Sequence, residues 1–313
     1  MRLALMSMSV LSLLAATSGP ATAADAPAQA APVPAKPAVV IDLWPAGKVP
    51  GEAADIGPEK ATEKNGAITS LTNVSKPTIS VYPAPKDHNT GLAVLVAPGG
   101  GYNVLAWDHE GEQIARWANS AGMTAAILKY RVPRRADTPR DKPPLGALQD
   151  AQRAMGVFRS RAAEWGADPK KVGMLGFSAG GHLTAWTSTN YEKRAYDAVD
   201  EADKVSSRPD WAVLIYPGGT IEKGTIDLKP EIKVTKDTPP SFLAMAHDDP
   251  VNTENCIALY LAMKRAGVSA EMHLYATGKH GFGIRPTAGP AATWPKRCEE
   301  WLGAIGVLGG EKK

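Results

Sequence analysis

The stretch Gly176-Phe177-Ser178-Ala179-Gly180-Gly181-His182 carries the clearest chemistry in this sequence. It places a serine between glycines two residues before and two residues after it. The apolar run 172–177 precedes it, and an apolar helical pattern begins at Leu183. The run reads as a buried strand, so Ser178 falls on a strand-to-helix turn. Such a turn forces the serine into a strained backbone conformation, and only glycine leaves room for it at positions 176 and 180. The hydroxyl is then held out at the end of the strand, where the new helix aims its free N–H groups.

A serine hydroxyl is a poor nucleophile until a base takes its proton, and the base must be oriented by a carboxylate. The acid pair Asp248-Asp249 follows the apolar run 241–246, and His280 follows the run 271–275. A third segment, Pro98-Gly99-Gly100-Gly101-Tyr102, ends the apolar run 92–97. Attack on an ester carbonyl creates a negative oxygen, and backbone N–H groups stabilise it when no side chain blocks their approach. As a dinucleotide loop this segment fails, because it lacks the further glycine spacing and a following acidic residue on a strand.

The elements that must position these residues alternate from residue 39 onward. Short β-branched or apolar runs are interleaved with helical patterns, which predicts an α/β fold with a mostly parallel sheet and helices on both faces. Runs 39–44 and 78–82 read as early strands at an antiparallel edge, separated by the polar, Gly/Pro-rich stretch 45–76. The clearest helix spans 145–165, where Leu148, Ala151, Met155, Phe158, Ala162 and Trp165 recur at spacings of three and four and Gly166 closes the run. Segments 131–144 and 191–208 read as surface crossings, and 217–239 as a long functional cover or insertion. Because the strand ends of a parallel sheet point to one edge, the serine, acid and histidine are expected to meet there.

From Leu92 to Leu302 the chain resembles the α/β-hydrolase superfamily, particularly its secreted branch of acetylxylan esterase and feruloyl esterase-like carbohydrate esterases. The glycine loop, Glu110-Gly111, Gly176 to Leu183, Asp248-Asp249-Pro250-Val251 and Gly278-Lys279-His280-Gly281-Phe282-Gly283 carry the likeness. The order serine, acid, histidine is also that of the superfamily. Pro98 departs from it, standing where many lipases have histidine. The resemblance implies one α/β-hydrolase domain over 39–313, with Ser178 as nucleophile and His280 as base. Asp249-Pro250-Val251 matches the relatives' element after the strand and favours Asp249 as acid, while counting back from Glu254-Asn255 favours Asp248. By analogy, Gly100 or Gly101 and Ala179 supply the oxyanion donors. It further implies that no cofactor or metal is needed, and that the substrate is acetylated xylan or a related acetylated carbohydrate. The alternatives are a feruloyl or other small ester, a peptidase-like hydrolase, and a non-catalytic carbohydrate-binding relative.

The remaining sequence narrows the setting. The 35 Lys and Arg against 32 Asp and Glu give a net charge of only +3, which points away from a nucleic-acid partner. Residues 1–23 read as a cleavable export signal, with Arg2, an apolar stretch and the small-residue site Ala21-Thr22-Ala23; no membrane insertion is expected after processing. Residues 24–38 read as an Ala/Pro-rich disordered linker. Cys256 and Cys298 are expected to be separate buried thiols, with a disulfide as the alternative. Tyr102 and Trp107 are candidates for stacking on a sugar, and Trp186 and Tyr216 are candidates beside them. His182 is expected to hydrogen-bond within the scaffold.

Overall fold

We analysed the fold in a computed structural model that describes residues 36–308, apart from 47, 52–55, 136–137 and 140. The export signal and nearly all of the linker expected at 24–38 lie outside the described residues.

Among the described residues ten strands and five α-helices follow one another: β1 (Val39–Asp42), β2 (Lys60–Lys64), β3 (Ala67–Thr72), β4 (Thr78–Tyr82), β5 (Ala93–Ala97), α1 (Gln113–Ser120), β6 (Thr124–Lys129), α2 (Leu145–Ser160), β7 (Val172–Phe177), α3 (Ala179–Thr189), β8 (Ala212–Ile215), β9 (Ser241–Ala246), α4 (Glu254–Arg265), β10 (Ala270–Tyr275) and α5 (Trp294–Ala304). Eight strands form one sheet in the order β1-β4-β6-β5-β7-β8-β9-β10. From β6 to β10 every pairing is parallel, whereas β1 pairs antiparallel with β4 and β4 antiparallel with β6. The two antiparallel edge strands expected from the sequence are therefore present. Strands β5, β7, β8 and β9 are buried along their whole length. Their continuous apolar composition follows from having both faces covered, because βαβ crossovers place helices on each side of a parallel sheet.

Two segments hold more structure than their composition suggested. The stretch 45–76 is not simply a connection, because it contains the antiparallel hairpin β2–β3. Asn65 and Gly66, both at positive φ (52° and 77°), make its two-residue turn, and Asn-Gly is the strongest short-range hairpin signal a sequence offers. The exposed, lysine-rich β2 concealed that signal behind a polar composition. The second is 191–208, expected to cross the surface. It carries the buried Asp203, which accepts a hydrogen bond from Tyr196 at 2.7 Å and pairs with Arg153 of α2 at 3.0 Å. Burying a carboxylate is tolerable only with such partners.

Helix α2 ends at Ser160, and a 3₁₀ turn, Ala162–Trp165, carries the pattern on to Gly166, whose left-handed φ of 69° stops it. Cys256 and Cys298 are free and buried, and burial pushes both thiols well above the ordinary thiol range. Among the described residues no helix is long and apolar enough to cross a membrane.

Candidate active site

Ser178 lies between the last residue of β7 and the first of α3, at φ 51° and ψ −115°. A non-glycine residue is held there only when its surroundings over-determine it. The restraints are visible. Ser178 donates its backbone N–H to Ile215 of β8 at 3.0 Å, and its carbonyl accepts the N–H of His182 at 3.0 Å. A Cβ on Gly176 would lie 2.0 Å from the carbonyl oxygen of Gly180, and a Cβ on Gly180 would lie 2.0 Å from that of Ala97. Glycine at both positions is what lets α3 leave the strand so tightly.

The Ser178 hydroxyl is 2.8 Å from His280 Nε2. On the other side of the ring, Nδ1 lies 2.8 Å from Asp249 Oδ2 and 3.0 Å from Oδ1. A fully buried carboxylate on Nδ1 keeps the ring proton there, so Nε2 presents its lone pair to the serine. Oδ1 of Asp249 also accepts the Val251 N–H at 2.7 Å, which fixes the carboxylate in the turn after β9. Asp248 points elsewhere: its carboxylate accepts the Lys279 N–H at 2.8 Å and so braces the start of the histidine loop. Of the two candidate acids, Asp249 is the one that reaches the ring.

A cavity of about 270 Å³ opens beside Ser178, and Gly101, Tyr102, Ala179 and His182 are part of its wall. Ala179 begins α3, so its N–H has no helical carbonyl to serve. Gly101 and Ala179 thus border the cavity together, while Gly100 serves the loop instead. Its φ of 125° and its carbonyl, which accepts the N–H groups of Asn103 and Val104 at 3.0 and 3.2 Å, form the turn that presents Gly101. Tyr102 reaches the cavity wall, but Trp107 does not. Trp107 is buried in the core, with its N–H donated to Thr69 of β3 at 3.0 Å, so it braces the glycine loop rather than facing a ligand. Trp186 is likewise buried, and its ring packs edge-on against His182 with centroids 5.9 Å apart.

Two supporting groups were not assigned these parts by sequence reasoning. Glu110 sits on a π-helical turn, Asp108–Glu112, and is buried. Its carboxylate accepts the Gly99 N–H at 2.7 Å and the Tyr216 O–H at 2.8 Å. The Tyr216 oxygen accepts the Gly283 N–H at 3.0 Å, and its ring packs against His280 with centroids 5.0 Å apart. One carboxylate and one phenol therefore tie the glycine loop to the histidine loop. The signal available at Glu110 was the Glu110-Gly111 pair, already among the residues that carry the superfamily likeness. Nothing local to Tyr216 distinguished it from a core aromatic. Among the described residues no group of three His, Cys, Asp or Glu is gathered as for a metal ion.

A family model described as BD-FAE matches residues 79–216. Among solved structures, an acetyl ester-xyloside bifunctional hydrolase from Caldicellulosiruptor lactoaceticus aligns with a TM-score of 0.71 at 28% identity, covering 88% of this chain and 98% of that one. The chain has the α/β-hydrolase fold. Proteins similar in sequence include an acetylxylan esterase of Xylanibacter ruminicola, 31% identical over an alignment of 236 residues, with 70% of this chain and 45% of that protein covered. An endo-1,4-β-xylanase B of Butyrivibrio fibrisolvens is 29% identical over 210 residues, 61% of this chain and 32% of that protein. The chain spans less than half the length of these two curated relatives.

Proposed function

We propose that this α/β hydrolase is a serine carboxylesterase that removes acetyl groups from xylan or related carbohydrates. The observation that carries the reading is the unbroken line from Ser178 through His280 to Asp249, with both hydrogen bonds at 2.8 Å, at the mouth of a cavity. Its likeness to an acetylxylan esterase and to an acetyl ester-xyloside hydrolase supports the choice of substrate.

In this mechanism the Ser178 O–H gives its proton to His280 Nε2 as Oγ attacks the acetyl carbonyl. The carbonyl oxygen becomes an oxyanion and takes hydrogen bonds from the Gly101 and Ala179 N–H groups, a contribution of about 3–4 kcal/mol for one such donor in comparable enzymes. Asp249 stabilises the imidazolium. His280 then protonates the departing sugar oxygen, leaving acetyl-Ser178. Water enters, loses its proton to His280 and releases acetate. The ester bond is cleaved and no electron is transferred, so the residues present complete the cycle. We further propose export, on the strength of the charged, apolar and small-residue pattern over 1–23; an exported product whose mass begins at Ala24 is the expected result.

The test is twofold. Ser178→Ala should abolish p-nitrophenyl acetate hydrolysis, and an unaffected rate would refute the nucleophile. Acetate release from acetylated xylan by the unaltered protein identifies the carbohydrate substrate. Aryl acetate turnover without it assigns the enzyme to another ester, and sugar binding without any turnover assigns it to non-catalytic recognition.

A further inference from the structure

Three side chains from three separate segments meet on the cavity wall beside Ser178: Tyr102 from the glycine loop, His182 from α3 and Glu231 from the 217–239 connection. The Tyr102 hydroxyl lies 2.8 Å from His182 Nδ1, and His182 Nε2 lies 3.6 Å from Glu231 Oε1. His182 is buried, and burial holds its pKa below the usual histidine range, so the ring is neutral and carries one proton. That proton belongs on Nε2, facing the carboxylate, which leaves Nδ1 to accept from the Tyr102 O–H. The arrangement orients Glu231 without satisfying it. Its Oε1 is buried and lacks a hydrogen-bond partner, at a separation from Nε2 longer than a hydrogen bond, while part of the side chain remains open to the cavity. Burial favours the protonated acid, but the neighbouring imidazole, the backbone N–H of Glu231 itself and the charge of Lys229 together outweigh it and keep Glu231 below the ordinary carboxylate range, hence an acceptor.

The segment bearing Glu231 is pinned. Its carbonyl accepts the side-chain N–H of Asn190 at 2.7 Å, and Thr220, near the start of the connection, donates its hydroxyl and its backbone N–H to Asn255 Oδ1 at 2.9 and 2.8 Å. An ionised carboxylate, held on its buried side and open to the nucleophile's cavity on the other, is suited to a neutral hydrogen-bond donor. A simple acyl chain offers none. A pyranose offers a hydroxyl beside its ester.

We propose that Glu231, set by the Tyr102–His182 pair, is a specificity residue that accepts a hydrogen bond from a sugar hydroxyl vicinal to the ester being cleaved. The inference rests on the proposed carbohydrate deacetylation and names the substrate group that this wall recognises. A site built to bond a hydroxyl rejects the analogue lacking it, because its own polar group is then left unpaired.

The test compares a monoacetylated methyl xyloside with the same acetate whose vicinal hydroxyl is replaced by hydrogen, alongside p-nitrophenyl acetate. The unaltered enzyme should favour the hydroxylated sugar roughly ten- to hundred-fold in kcat/KM, the range for a hydrogen bond to a charged group. In Glu231→Leu that ratio should collapse toward unity, and in Tyr102→Phe it should fall part of the way. Because each ratio is taken within one variant, a partial loss of folded protein cancels. A ratio near one in the unaltered enzyme, or one that persists in Glu231→Leu, overturns the inference while leaving the deacetylase reading intact. Cleavage of p-nitrophenyl acetate with neither sugar ester turned over overturns both.

Discussion

Asp248 and Asp249 stand one position apart, yet one carboxylate is exposed and holds a backbone N–H while the other is buried against an imidazole. Their variants should separate accordingly. Asp249→Asn leaves the His280 ring without the acceptor that fixes its tautomer, and kcat should fall on the order of 10⁴-fold. Asp248→Asn can still accept the Lys279 N–H, and kcat should remain within roughly tenfold, since only a neutral hydrogen bond replaces a charged one. Steady-state rates on p-nitrophenyl acetate check both. His182 supplies a second prediction at this scale. Its folded pKa is depressed by burial, so above the unfolded value of about 6.5 both states are neutral and its contribution to stability is complete. As pH falls below that value the unfolded chain gains the proton first, and stability is lost. Urea midpoints should therefore drop between about pH 7.5 and 5.5, and the drop should be smaller in His182→Gln than in the parent.

At the scale of elements, the site depends on how loops are tied to the strand ends. Tyr216 follows β8, and its hydroxyl joins the π-helical turn bearing Glu110 to Gly283 in the histidine loop. Tyr216→Phe leaves a buried carboxylate oxygen and a backbone N–H each without that partner, which should cost about 1–3 kcal/mol in stability. The histidine loop should loosen as well, lowering kcat with little change in KM, because the phenol does not line the cavity. The hairpin β2–β3 acts on the same loops from outside: Leu71 exchanges backbone hydrogen bonds with Leu105 at 3.0 and 2.8 Å, just beyond the glycines. Strands β5, β7 and β9, the glycine turn and the long helix closed by Gly166 could be read from periodicity and glycine placement, since those signals are local. The hairpin was legible too, in Asn65-Gly66, but composition obscured it. The ties between loops were not legible, because each joins residues distant in sequence that carry no local pattern.

Across the whole molecule, α2 is held to the sheet by buried charges as well as by apolar surface. Asp150 is fully buried and accepts from Trp44 Nε1 at 2.8 Å, the Arg131 N–H at 2.9 Å and the Arg131 guanidinium at 2.9 Å. These bonds join the segment after β1, the segment after β6 and the crossover helix. Asp150→Ala should remove the buried carboxylate that meets the Arg131 guanidinium and destabilise the fold by about 3–5 kcal/mol, read as a lowered urea midpoint at unchanged slope. A smaller loss would mean that water or the other Arg131 partners replace the carboxylate.

The sequence by itself determined the alternation that makes a mostly parallel sheet, the strained serine turn with its glycines, and the strand ends that carry the histidine and the acid pair. Those properties are set by neighbours along the chain: apolar period, β-branching, and the steric demand for glycine. Tertiary structure alone decided which of two adjacent aspartates turns toward His280, which glycine borders the cavity, and why Trp107 and Tyr102 part company. It also decided that Glu231 would face the nucleophile's cavity. Those outcomes depend on distances across the sheet edge, where a rotation of one residue in a loop exchanges a buried partner for solvent.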